Sequence, residues 1–123
     1  NQDDAVDWTE GWNGSITNTY VSHTTGNFST ALEADGDNGN PTLTNFTAIA
    51  SPSGGTALQF KKLSGATMTN VLLMGYDTNV DMKDEGPIGN VIIDGTPMSD
   101  PSDDVFNGTA VDISGWAWIA ARL

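Results

Sequence analysis

The chain repeats itself, and the repeat limits its folds more than any other feature. Asp4-Ala5-Val6-Asp7-Trp8 lines up with Thr30-Ala31-Leu32-Glu33-Ala34, Thr56-Ala57-Leu58-Gln59-Phe60 and Thr78-Asn79-Val80-Asp81-Met82. The alanines at 5, 31 and 57 stand 26 residues apart, and Asn79 follows 22 later. A second block keeps step: Ile16-Thr17-Asn18, Leu43-Thr44-Asn45, Met68-Thr69-Asn70 and Ile88-Gly89-Asn90. Each triplet leads into a β-rich run, Thr19-Tyr20-Val21, Phe46-Thr47-Ala48-Ile49, Val71-Leu72-Leu73-Met74 and Val91-Ile92-Ile93.

A period of 20-odd residues suits a leucine-rich repeat or a β-solenoid. Both halves of this unit read as strands. Val6/Trp8, Leu32/Ala34, Leu58/Phe60 and Val80/Met82 alternate with polar residues, the period of a strand with one buried face. Gly, Pro and Asn mark the corners. The expectation is an all-β fold, a right-handed parallel β-helix of about four coils over residues 1–94. Residues 95–123 break the repeat and are expected to form an irregular C-terminal cap of the same domain. Val6, Trp8, Leu32, Leu43, Leu58, Phe60, Met68, Val80, Met82 and Ile88 are the expected core. Asn tolerates the left-handed backbone of a tight corner. Stacked one strand apart, Asn18, Asn45, Asn70 and Asn90 would form an internal ladder of amide hydrogen bonds.

Composition fits this. With 123 residues there is room for one modest core. Thr, Asn, Ser and Gly abound, which disfavours helices. Cysteine is absent, excluding disulfides, a thiol nucleophile and zinc-thiolate sites. No apolar run approaches the roughly 18 residues of a membrane span. Sixteen acidic residues against four basic ones give a net charge of -12, which argues against nucleic acid and anionic membranes. It suits a cation-rich exterior that screens self-repulsion. The chain opens on Asn1 instead of Met, as a processed chain, a fragment or an excised domain would.

The stretches DDAVDWTEGWNGSITNTYV, TALEADGDNGNPTLTNFTAIAS, GGTALQFKKLSGATMTNVLLMGYD and NVDMKDEGPIGNVIID resemble the C-terminal coils of large bacterial secreted or lipid-anchored parallel β-helix proteins. The resemblance covers roughly residues 3 to 94. It implies the fold and an extracellular or cell-surface location, and it supplies no catalytic residues to carry over.

Candidate sites follow from the outward positions. Asp7, Glu33, Gln59 and Asp81 would stack in one column, where like charges repel. Glu33, Asp35, Asp37, Asn38 and Asn40 form an oxygen-rich loop of the kind that takes Ca²⁺. The loop misses the EF-hand template because Gly39 takes the third ligand position and no Glu closes it. Lys61 and Lys83 offer neutralisation of the column instead. Ser15-Ile16-Thr17, Thr42-Leu43-Thr44 and Thr67-Met68-Thr69 would set out an outward hydroxyl array, resembling the flat face of ice-binding solenoids, that fails at Pro87/Gly89. Thr is equally an ordinary outward strand residue. His23 sits in the turn SHTTGN with no visible partner and reads as solvated. Trp12, in a turn, is placed to stack on a sugar ring, whereas Trp8 belongs to a core column. Trp116, Trp118 and Ala120 alternate as a final strand or cap would. Sequons occur at Asn13, Asn27, Asn45 and Asn107, and Asn45 is expected to point inward.

Catalysis on an acidic polysaccharide needs cationic groups that this chain scarcely has. The expected role is a non-enzymatic extracellular structural or adhesive protein, with a lectin-like glycan-binding module as the alternative. The first coil motif begins within five residues of Asn1, so the first coil needs cover from upstream coils of the same polypeptide or from an identical neighbour. Head-to-tail contact with a neighbour leads to a filament.

Overall fold

The computed structural model describes residues 4–9, 11–24, 29–36 and 40–116. Strands form where β-branched and apolar residues alternate with polar ones. They are β1 (Val6–Thr9), β2 (Ser15–His23), β3 (Thr30–Asp35), β4 (Thr42–Ala50), β5 (Thr56–Lys61), β6 (Ala66–Met74), β7 (Thr78–Met82), β8 (Val91–Ile93) and β9 (Thr96–Pro97). β1, β3, β5 and β7 stack as one parallel sheet. β2, β4, β6 and β8 stack as the second, and β9 joins it antiparallel. The chain therefore winds as a parallel β-helix of about three turns. No helix among the described residues is long and apolar enough to cross a membrane.

The first motif keeps the register of the repeat through all four units, and the second through three. Val6 pairs with Leu32, Leu32 with Leu58 and Leu58 with Val80. Ile16 pairs with Leu43 and Leu43 with Met68. The side chains between the sheets interdigitate by size. Ala34 lies between Trp8 and Phe60 in one column, so two large rings do not compete for one layer. Leu32, Leu43, Leu58, Phe60, Met68 and Val80 are buried, as is Trp8. Val6, Met82 and Ile88, expected in the core, are half-buried and pack against its edge.

The second motif of the fourth unit differs from the expectation. Ile88-Gly89-Asn90 is a 3₁₀ turn, and it is Ile93 that stacks on Met68. Lys83–Glu85 is also a 3₁₀ turn, with Asp84 and Glu85 at positive φ. These turns use up the chain before it reaches the sheet. β8 then pairs only with the first three residues of β6, and the last coil stays partial.

The segment from β9 to Gly108 closes that end over the second sheet, while among the described residues no strand pairs with the far edge of β7. β9 folds back on β8, and Met98 N–H donates to Val91 C=O at 2.9 Å. Asn107 bridges Leu72 in antiparallel sense, where Leu73 N–H donates to Phe106 C=O and Gly108 N–H to Val71 C=O. Met98 and Phe106 are buried in the core cluster. The chain then runs on across the coils as a strap, and Val111 N–H donates to Thr47 Oγ1 at 2.9 Å.

Candidate functional site

Three outward features carry polar chemistry: the asparagine column, the acidic column and the end of the β-helix formed by β1 and β2. Asn18, Asn45 and Asn70 sit at φ of 62°, 59° and 55°, the left-handed corner that asparagine accepts. Their amides form a chain. Asn70 Nδ2 donates to Asn45 Oδ1 at 3.1 Å, and Asn45 Nδ2 donates to Asn18 Oδ1 at 2.8 Å. Asn90 is not in this column. Its Nδ2 donates to Leu63 C=O, and its own carbonyl accepts from Asn40 Nδ2. The displaced fourth unit explains this, and Asp94 takes a place next to Asn70, accepting the Asn70 N–H at 2.9 Å.

The ladder was expected to be internal, yet its amides line a groove of about 320 Å³ shared with Ala110, Val111, Asp112 and Trp116. The strap ends the column. Thr109 N–H donates to Asn70 Oδ1 and Thr109 C=O accepts from Asn70 Nδ2. Gly108 makes this approach possible, because a Cβ there would stand 2.4 Å from Asn70 Oδ1. Trp116 belongs to the groove and to no strand. Trp118, Ala120 and Asn27 lie outside the described residues.

The acidic column has the expected register, Asp7 beside Glu33, Glu33 beside Gln59 and Gln59 beside Asp81. Its repulsion is relieved from within. Lys61 Nζ lies 2.8 Å from Glu33 Oε1, Lys62 Nζ lies 3.6 Å from Asp35 Oδ1, and Gln59 Nε2 donates to Asp81 Oδ2 at 3.1 Å. A hydrogen bond with the Asp4 carboxyl holds Glu33 above its ordinary value, and Lys61 works against that rise. Burial pushes Asp4 up, but hydrogen bonds from Glu33, Thr30 and Ser29 outweigh it and hold that carboxyl low. Lysines thus already engage Glu33 and Asp35, two of the loop oxygens assigned to Ca²⁺. Asn40 turns its amide to Asn90 instead, and Asp37 and Asn38 lie outside the described residues. Among the described residues no group of three His, Asp or Glu side chains is arranged to hold a metal ion.

The outward hydroxyls of Ser15, Thr42 and Thr67 are in register, as are those of Thr17, Thr44 and Thr69. The next coil sets Ile92 beside Thr67, so the hydroxyl rows end after three coils.

The third feature is the open end. Val6, Asp7, Trp8, Thr9, Trp12 and Ile16 line a cleft of about 350 Å³ there. Trp12 is 37% exposed, and its ring lies 5.4 Å from that of Trp8 at an interplanar angle of 47°. Gly14 lets the indole rest on the backbone, since a Cβ would come within 2.6 Å of the ring. Trp8 is 7% exposed, and among the described residues its buried Nε1–H has no acceptor. His23, expected in a solvated turn, is instead the last residue of β2 and is only 4% exposed. It shares a hydrogen bond of 3.1 Å with Tyr76 Oη, and their rings meet edge to face. Burial lowers the His23 pKa and pushes that of Tyr76 up to about 12. Sequence reasoning missed this pair because 53 residues separate the partners and they lie outside the repeat motifs.

Comparison with known proteins bears on the fold of these features. A family model described as a pectate-lyase like beta helix domain matches residues 1–109. Neither a curated protein nor a solved structure matches the chain.

Proposed function

Because the chain belongs to the pectate-lyase-like β-helix domain family, we propose its role from what its own coils carry: a non-enzymatic structural or adhesive module working outside the cell or at its surface. The observation that carries this is the contrast between its two ends. One is covered over the second sheet by β9, Met98 and Phe106, leaving only the β7 edge, and the other presents an apolar cleft and both strand edges. Such an end is suited to holding a neighbour.

The family is named for a lyase of an acidic polysaccharide, and a polyanion needs cations to bind it. Here Lys61 and Lys62 are engaged by Glu33 and Asp35, on a chain of net charge -12. His23 is buried against Tyr76. These facts favour a role without cleavage. The acidic surface suits a cation-rich exterior, where salt screens its self-repulsion. Incubation with polygalacturonate and with neutral polysaccharides should release no product. Depolymerisation that disappears in Asp81→Asn or another single outward variant would overturn the proposal.

The Trp8 and Trp12 cleft favours a second role, as a lectin-like module. An exposed indole beside Asp7 and Thr9 combines a stacking face with hydrogen-bonding groups, as a neutral sugar requires. Binding on a glycan array that is lost in Trp12→Ala, without cleavage, would select this role.

A further inference from the structure

We infer that the open end takes one more coil of a parallel β-helix other than a copy of this chain. That coil runs in the same direction as β1 and β2 and sets an Asn side chain next to Asn18. This deepens the structural role proposed above and rests on it.

The edges supply the first observation. β1 and β2 each pair on one side, with β3 and β4. Among the described residues no strand pairs with their other sides. β2 is nine residues long, so the unpaired side is an extended row of backbone donors and acceptors.

The direction of the amide ladder supplies the second. Each rung donates its nitrogen toward the open end and accepts from the other side. Asn18 Oδ1 accepts from Asn45 Nδ2, and among the described residues the Asn18 side-chain nitrogen has no acceptor. The incoming group must therefore offer an oxygen toward Asn18 and direct its own donor away. An Asn in the same left-handed corner of a parallel coil does this. An antiparallel strand would not bring a corner of the same hand to that position.

The third observation excludes the simplest partner. A second copy would have to offer its opposite end, where the far edge of β7 pairs with no strand among the described residues but the second sheet is closed, and Thr109 occupies both polar atoms of Asn70. The backbone of Val71 and Leu73 is paired with residues 106–108, and Phe106 and Met98 fill the core. The occupant is thus a β-helix segment whose last coil is open. The mouth also selects its side chains. Apolar residues fit over Val6, Trp8 and Ile16, while an acid next to Asp7 would lengthen the acidic column.

The experiment is an extension of the full chain. A copy of residues 29–54 carrying Glu33→Gln, so that no acid falls beside Asp7, placed immediately ahead of Asp3 keeps the 26-residue spacing of Val6, Leu32 and Leu58. The expected result is a raised Tm and at least about tenfold slower hydrogen exchange of the β2 amides. Asn18→Asp keeps the acceptor for Asn45 and removes the donor. It should reduce the gain in the extended chain and leave the Tm of the original chain nearly unchanged. The same copy appended after Leu123 should exchange like an unfolded tail, and the original chain should sediment as a monomer. An extension at Asp3 that exchanges like unfolded chain would overturn the inference, as would protection of the copy at Leu123. Head-to-tail filaments of the original chain would do so too, by making a second copy the occupant. A neutral oligosaccharide that protects β1 where the coil does not would assign the mouth to a sugar. Polysaccharide cleavage, measured separately on the original chain, would remove the structural role while leaving coil docking intact.

Discussion

Asn45 combines two duties that can be separated by substitution. Its backbone sits at φ 59°, and its side chain donates to Asn18 and accepts from Asn70. Alanine loses both hydrogen bonds, about 1 kcal/mol each, and strains the left-handed corner by a further 1 to 2, roughly 3 kcal/mol in all. Glycine accepts the corner and loses only the ladder, so Asn45→Gly should cost about 1 kcal/mol less than Asn45→Ala in urea melts. His23 gives a test in pH. Burial lowers its folded pKa below the ordinary 6.5, so between those two values the unfolded chain binds the proton and the folded chain does not. The stability it contributes is present above pH 6.5 and is lost as pH falls through the folded pKa. His23→Gln should flatten the slope of stability against pH just below 6.5, with little change in slope above it.

The strap is the element on which closure depends, and Gly108 is its tightest point. A methyl group there would meet Asn70 Oδ1 at 2.4 Å and the Val71 backbone at 3.0 Å. Gly108→Ala should lift the strap and uncover Phe106 and Met98. We expect a loss of about 3 kcal/mol, similar to that of Phe106→Ala, and faster proteolysis after Asp100. The sequence foretold little of this segment, because residues 95–116 share no spacing with the coils and their partners are set by tertiary contact. It foretold the first three coils well. There the apolar alternation and the Asn corners share one register, so a slip of one residue would turn every core side chain outward. The second half of the fourth failed for a physical reason, though β7 keeps its place in the first sheet. Ile88-Gly89-Asn90 copies the composition of a corner triplet, but the turns at Lys83–Glu85 and Ile88–Asn90 decide where the chain rejoins the sheet. Among the site residues, the column from Asp7 to Asp81 was legible from spacing alone. Its neutralisation was legible only in part, through Lys61, and the burial of His23 against Tyr76 was not.

At the scale of the whole molecule the net charge of -12 acts on every coil together. Raising ionic strength from about 0.01 to about 0.15 M shortens the screening length from about 30 to about 8 Å. This should raise the Tm, since self-repulsion relieved across the surface outweighs the two lysine pairs weakened. A flat or falling Tm over that range would show the pairs to dominate. The strand ladder also gives the molecule a mechanical grain. Coils are bonded to one another along the axis, so a pull on the two ends loads those bonds one rung at a time, by peeling. A pull across the axis loads a whole sheet in shear. Under axial tension from the C-terminal side, the strap over Asn70 and Thr47 must lift before the coils beneath it can unwind. The coil between Leu58 and Val80 then lengthens the tether by about 75 Å, and each 26-residue coil after it by about 90 Å.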